Sequence, residues 1–139
     1  KNNATMIKKI LFLTTLFVMI GCSTDGQLQG TWRYVEYDFT TTKTHDGALL
    51  ETLKGVVTYP ASQQKTVTFN PNGTCTGLYS GYWLLVDNTI KIKDSVASTT
   101  FDLYTIKYLS DTKLILESVA TVADDSLVYN TATTHYFEH

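Results

Sequence analysis

Apolar and polar residues alternate with a period of two in Thr89-Ile90-Lys91-Ile92-Lys93 and again in Lys113-Leu114-Ile115-Leu116-Glu117. That period puts successive side chains on opposite faces of a β-strand, one face apolar and the other charged or mixed. The run opening at Gly30-Thr31-Trp32 and ending at Phe39 has no helical spacing and is rich in strand formers, so it is read as the first strand. Further strands are predicted over residues 65–70, 74–86, 89–93, 100–109, 113–119, 127–129 and 133–138. The links between them are short and carry turn chemistry: Asn70-Pro71-Asn72-Gly73, Asp87-Asn88, Asp94-Ser95 and Ser110-Asp111-Thr112. Asp87-Asn88 leaves two residues between apolar flanks, which suits a primed hairpin turn because Asp and Asn tolerate positive φ. Short links require antiparallel neighbours, so the strands form a meander.

The pattern weakens over residues 40–64. Asp46-Gly47 reads either as a hairpin turn between residues 41–45 and 48–53 or as the start of a short helix, with Leu49, Leu50 and Leu53 on one side and Gly55 ending it. The preceding threonines favour the hairpin. The segment is the longest irregular connection, and a lid, a binding loop or a plain surface loop all fit it. About eight strands laid flat would leave two open edges, which closure into a barrel removes. The expected fold is therefore all-β, an up-and-down antiparallel meander barrel of about eight strands. Such a barrel is either filled by its own side chains or holds one small ligand.

The chain begins differently. Met6-Ile7-Lys8-Lys9 precedes an uncharged stretch over residues 10–20 and then Gly21 and Cys22. Two lysines followed by a short apolar run form the layout of a secretory signal. As a helix, the 11 residues of this run would span about 16 Å, against the roughly 30 Å of a bilayer's hydrocarbon core. Met19-Ile20-Gly21-Cys22 resembles the lipobox of bacterial lipoproteins, with Gly21 and Cys22 matching and Met19 and Ile20 departing from its commonest form. The resemblance implies that Cys22 is acylated and becomes the mature N-terminus; the alternative is a plain signal peptide with an incidental cysteine. The resulting division is 1–21 leader and signal peptide, 22–29 lipidated terminus and tether, and 30–139 barrel. Ser23 is not the Asp that retains many such proteins in the inner membrane, so an outer-membrane anchor in the cell envelope is expected.

Charge sharpens this. The 139 residues carry 11 basic and 13 acidic side chains, a net charge of -2, and 24 threonines against one arginine, Arg33. A basic nucleic-acid binder is excluded, and a hydrophobic content of 43% is enough for a core. Without residues 1–21, which hold Lys1, Lys8 and Lys9, 8 basic face 13 acidic residues over 118 positions, a net charge of -5. An acidic domain is repelled by anionic lipid, so attachment to the membrane must come from acyl chains. With Cys22 lipidated, Cys75 has no partner for a disulfide and reads as a small core residue on a strand.

The sequence holds no glycine-rich phosphate loop, metal-spaced cluster or nucleophile elbow. His45, His135 and His139 are far apart, and nothing in the sequence brings Ser80, Asp102 and His135 together as a triad. No enzyme, cofactor or metal is expected. The aromatics carry more: Tyr79, Trp83, Tyr104, Tyr108 and Tyr136 lie on the middle and late strands, where a ligand-holding barrel is lined by aromatics with a few polar handles. These five are the candidate ligand-binding residues, with plain core packing as the other reading.

Gly30-Thr31-Trp32 at the head of the first strand resembles the Gly-x-Trp motif of lipocalins. With Thr68-Phe69-Asn70-Pro71-Asn72-Gly73-Thr74, Gly81-Tyr82-Trp83, Asn88-Thr89-Ile90-Lys91-Ile92, and Tyr104-Thr105-Ile106 through Leu114-Ile115-Leu116, residues 28–138 resemble the lipocalin-like lipoproteins common in Bacteroidetes. Glycine there lets the chain turn tightly and tryptophan closes the barrel floor. The late arginine that packs across this tryptophan in the best-known lipocalins is missing, and their specific ligands are not carried over. The resemblance implies an envelope lipoprotein that binds a small apolar or amphipathic ligand without catalysis. The alternative is a protein-interaction or inhibitor lipoprotein whose barrel is solid.

Overall fold

In a computed structural model, residues 24–139 are described; the expected signal peptide, 1–21, and Cys22 lie outside the described residues. A short helix, α1 (Thr24–Leu28), leads into β1 (Gly30–His45) and β2 (Ala48–Thr58). A 3-10 turn (Ala61–Gln63) is followed by β3 (Lys65–Phe69), β4 (Thr74–Gly77), β5 (Gly81–Val86) and β6 (Thr89–Lys93). The last strands are β7 (Asp102–Leu109), β8 (Lys113–Asp124) and β9 (Leu127–Glu138). Every pairing is antiparallel. The order β1-β3-β4-β5-β6-β7-β8-β9 closes through β1–β9 into an eight-stranded barrel, with β2 added outside the closure. The all-β meander barrel expected from the alternation is the fold.

Three elements differ from the sequence reading, each for a local reason. Residues 40–64 are mostly strand: β1 runs unbroken to His45 and turns through Asp46 (φ 48°) and Gly47 (φ 80°) into β2. The hairpin reading of Asp46-Gly47 holds, and the long irregular connection is replaced by a paired strand. The single strand expected over 74–86 is two. Gly77 (φ 96°) leaves the extended conformation, and the chain re-enters it at Gly81 (φ 134°). Lastly, β8 and β9 extend through a turn at Asp125 (φ 51°), and the segments 127–129 and 133–138 are one strand. Residues 130–132 have a poor pattern of their own, but β9 is held by β1 on one side and β8 on the other. Asp87 takes positive φ (54°) at its hairpin, as its turn chemistry suggested.

Strand β1 has two jobs. Its first residues, 30–34, pair with β3 in the barrel, while residues 36–45 pair with β2, and β9 follows it on the other side. The far halves of β2, β1, β9 and β8 thus form a four-stranded wing projecting from the barrel rim. A bulge between Tyr34 and Glu36 shifts the phase by one residue, so Trp32 and Tyr34 and then Tyr37 and Phe39 stay on the inner side. The barrel itself is packed. Leu28, Trp32, Val67, Phe69, Ile90, Leu114, Leu116 and Phe137 have no exposed surface, and Cys75 is buried beside them. Each such hydrophobic side chain removed from water contributes about 1.5–3 kcal/mol. The Trp32 indole donates to the Leu28 carbonyl at 2.8 Å, tying α1 beneath the barrel.

Candidate functional site: an aromatic mouth where barrel and wing meet

Above the packed interior, the inward positions of four elements converge. Tyr34 comes from β1, Phe137 and His135 from β9, Tyr104 from β7, and Tyr79 from the link between β4 and β5. Their rings form a circuit: Tyr34–Phe137 4.9 Å, Phe137–Tyr79 6.4 Å, Tyr79–Tyr104 4.9 Å, Tyr104–His135 5.8 Å and His135–Tyr34 5.7 Å between centroids. Tyr37 and Tyr59 extend it toward the wing, with centroids 6.3 and 5.3 Å from Tyr34. Further out, the Phe39 ring lies over Gly55, its cross-strand partner.

His135 is the polar centre. Its Nδ1 lies 2.8 Å from the Tyr34 hydroxyl and its Nε2 2.9 Å from the Ser118 hydroxyl. In a neutral imidazole one nitrogen donates and the other accepts, and rotating hydroxyls satisfy either tautomer. Burial pushes the His135 pKa down, offset in part by the Asp38 carboxylate, which favours the uncharged ring. Burial also raises the phenols of Tyr34 and Tyr79 above the ordinary tyrosine range, helped by neighbouring tyrosines. Tyr104 is raised by burial too, while its hydrogen bond from Tyr79 works the other way. The result is an uncharged surface of aromatic faces and protonated hydroxyls. It can stack on an apolar body and hydrogen-bond a polar end.

Beside this cluster β7 and β8 part, leaving an open cleft of about 370 Å³ lined by Phe101, Asp102, Leu103, Tyr104, Ser118, Val119 and Ala120. Tyr104 and Ser118 belong to both cleft and cluster.

Of the five candidate ligand residues, Tyr79 and Tyr104 meet here. Trp83 is buried elsewhere, its ring edge-on to Phe69 at 5.4 Å and its indole donating to the Asn70 carbonyl at 3.1 Å. Tyr108 is exposed on the outer face. Tyr136 is also outside, where its hydroxyl donates to Asp38 Oδ2 at 2.7 Å and Lys113 lies 6.0 Å from its ring centre. The sequence reading missed Tyr34, Tyr37, Tyr59 and His135. A period-two signal was present for two of them, since Tyr34 shares a face with Trp32, and His135 with Phe137.

The motif residues lie at the other end. Trp32 is fully buried with the His139 ring edge-on at 4.9 Å, and a side chain on Gly30 would strike that ring. The Ser80 hydroxyl contacts the Gly77 carbonyl at 3.5 Å, and the hydroxyls on His135 are those of Tyr34 and Ser118. Among the described residues no three His, Cys, Asp or Glu side chains come together as a metal site, and no helix is long and apolar enough to cross a membrane. Protein-family models, curated proteins and solved structures yield no match to this chain, so its reading rests on the geometry above.

Proposed function

We propose that this protein is a lipocalin-like, lipid-anchored protein of the cell envelope that holds a small apolar or amphipathic molecule against its aromatic mouth, without catalysis. The observation that carries the reading is the ring circuit around His135, opening sideways into a cleft at the lower end of the size range of small-molecule sites, about 300–1,000 Å³. Because the barrel below is filled, the ligand rests at the rim and is not swallowed. Anchoring is assigned to Cys22, just ahead of α1, whose Leu28 packs beneath the barrel; the packing of Trp32 at the barrel floor fits the lipocalin-like reading.

Native mass spectrometry of the purified protein tests the site. A co-purified small molecule is expected, and Tyr104→Ala should lose it while keeping the fold by circular dichroism. Retention of the same molecule by Tyr104→Ala and Tyr79→Ala would refute a mouth site. Replacing Cys22 by Ala should abolish metabolic labelling with palmitate, and persistent labelling would remove the anchor. A second reading, a solid-barrel protein-interaction module, is favoured by the filled interior and by Leu49, Leu50, Leu53, Val56, Val119 and Val122, all on the wing and more than half exposed. Absence of any bound small molecule, together with co-purification of a stoichiometric protein partner, would select it.

A further inference from the structure

The wing has two free edges, and they are built differently. Strand β2 carries Glu51 and Lys54 and a register shift opposite Lys43 and Thr44, devices that keep an exposed edge from pairing. On β8, by contrast, Ser118-Val119-Ala120-Thr121-Val122-Ala123 contains no charge, proline or glycine, and its register with β9 runs without a shift. Strand β7 pairs with β8 only as far as Thr105 opposite Glu117. Beyond that point no strand among the described residues covers the outer side of β8.

The direction of the peptide groups follows from the turns. The Ser110 N–H donates to the Lys113 carbonyl at 2.9 Å, and the His139 N–H to the Thr112 carbonyl at 3.1 Å. In an antiparallel ladder alternate residues bond to opposite sides, so odd residues of β8 face β7 and even ones face β9. Val119, Thr121 and Ala123 therefore aim three N–H and three C=O groups outward, in line with β7, where a further strand would run.

Charge decides what fits. The cleft at the inner end of this edge holds Asp102, and the outer end is flanked by Asp124 and Asp125. The wing, residues 36–58 and 117–136, contains seven acidic and two basic side chains, whereas the rest of residues 24–139 contains six of each. A second copy paired about a twofold axis at Thr121 would set its Asp124 opposite Ser118, next to Asp102, at both ends. Like charges oppose that pairing. We propose that the free edge of β8 binds an extended cationic peptide segment of a partner protein as an added strand. Its alternate side chains flank exposed Val119 and Leu103 on one face of the sheet and Val122 on the other, and a Lys or Arg stands near each end, about 20 Å apart at roughly 3.4 Å per residue. The inner end of this site adjoins the cleft of the mouth, with Asp102, Leu103 and Val119 lining both, while the pairing groups of Thr121 and Ala123 lie beyond the cleft.

The test is fluorescence anisotropy of labelled Lys-Val-Thr-Val-Thr-Val-Lys with the full chain. Binding is expected, falling about ten-fold or more when the terminal lysines are replaced by aspartates or when alternate peptide amides are N-methylated. In the protein, Thr121→Pro removes an outward N–H and leaves the β8–β9 backbone ladder intact, losing only the exposed Thr121–Asn130 side-chain hydrogen bond, so it should weaken binding similarly with a small fall in thermal stability. The N-methylated peptide gives the same information with the protein unaltered, should that variant not fold. Equal binding of the aspartate peptide or of the N-methylated peptide would overturn the proposal. A dimer in sedimentation that Thr121→Pro dissolves would also overturn it, assigning the edge to a second copy.

Discussion

Gly47 and Gly77 both hold positive φ, 80° and 96°, but a side chain added at each meets different surroundings. A Cβ on Gly47, at the wing tip, has nothing within 4 Å. A Cβ on Gly77 would fall 2.2 Å from the Thr66 carbonyl oxygen, which already accepts the Leu78 N–H at 2.7 Å. Gly47→Ala therefore meets only the backbone strain of a non-glycine residue at positive φ, about 1–2 kcal/mol. Gly77→Ala meets that strain, must push β3 and β4 apart, and weakens a hydrogen bond worth roughly 0.5–1.5 kcal/mol, for a total of about 2–4 kcal/mol. Total stability of a domain this size is about 5–15 kcal/mol, so the second change should be severe. Urea denaturation followed by tryptophan fluorescence reads both. At m values of about 1–3 kcal/mol/M, a 3 kcal/mol loss moves the midpoint by about 1–3 M, while Gly47→Ala shifts it by a fraction of that. Equal shifts for the two variants would show that the Thr66 contact is relieved at no cost, and the account of why β4 ends at Gly77 would fail.

Trp32→Phe should cost about 1–2 kcal/mol by leaving the buried Leu28 carbonyl without its 2.8 Å donor, and Trp32→Ala about 3–5 kcal/mol; a Phe variant as stable as wild type in urea would show that the indole N–H contributes nothing. Burial holds folded His135 below its ordinary pKa of 6.5. Stability from this residue is therefore complete above that value and falls as the pH drops toward the folded pKa, because the unfolded chain takes up a proton that the folded one does not. Urea midpoints at pH 7.5 and 5 should differ less in His135→Gln than in wild type, and an unchanged difference would contradict this. The buried Cys75 thiol, its pKa raised by burial, should react with a thiol reagent only as the barrel unfolds; rapid labelling of the native protein would place it elsewhere than the core.

Local pattern was enough for most of the barrel. Alternation in residues 89–93 and 113–117 reflects one face turned to a core, and turn residues such as Asp87 mark positions where few side chains are comfortable. Burial of Trp32, Cys75 and Phe69 could be read the same way, because a strand bounded by turns and apolar on one face has only one place to put that face. The mouth was legible only in part. Tyr79 and Tyr104 were named, but nothing along the chain separates them from Tyr108 and Tyr136, which point outward. Tyr108 is turned outward by the bulge between Ile106 and Tyr108, which reverses the phase of the residues after it, and Tyr79 sits in the link that follows the break at Gly77.

The wing lay furthest from view. Residues 40–45 and 130–134 are threonine-rich and weakly patterned because neither face is sealed against a core, so the periodic signal that burial writes into a sequence is faint there. What makes them strands is pairing between segments some ninety positions apart, as in Thr41 opposite Thr131. An all-β chain and most of its turns were legible in the residues alone, since these follow from short-range pattern, while the break between Gly77 and Gly81 was not. Which tyrosines surround His135 and which edge of the wing lies open emerge with the folded sheet, since both follow from the register of long-range pairs.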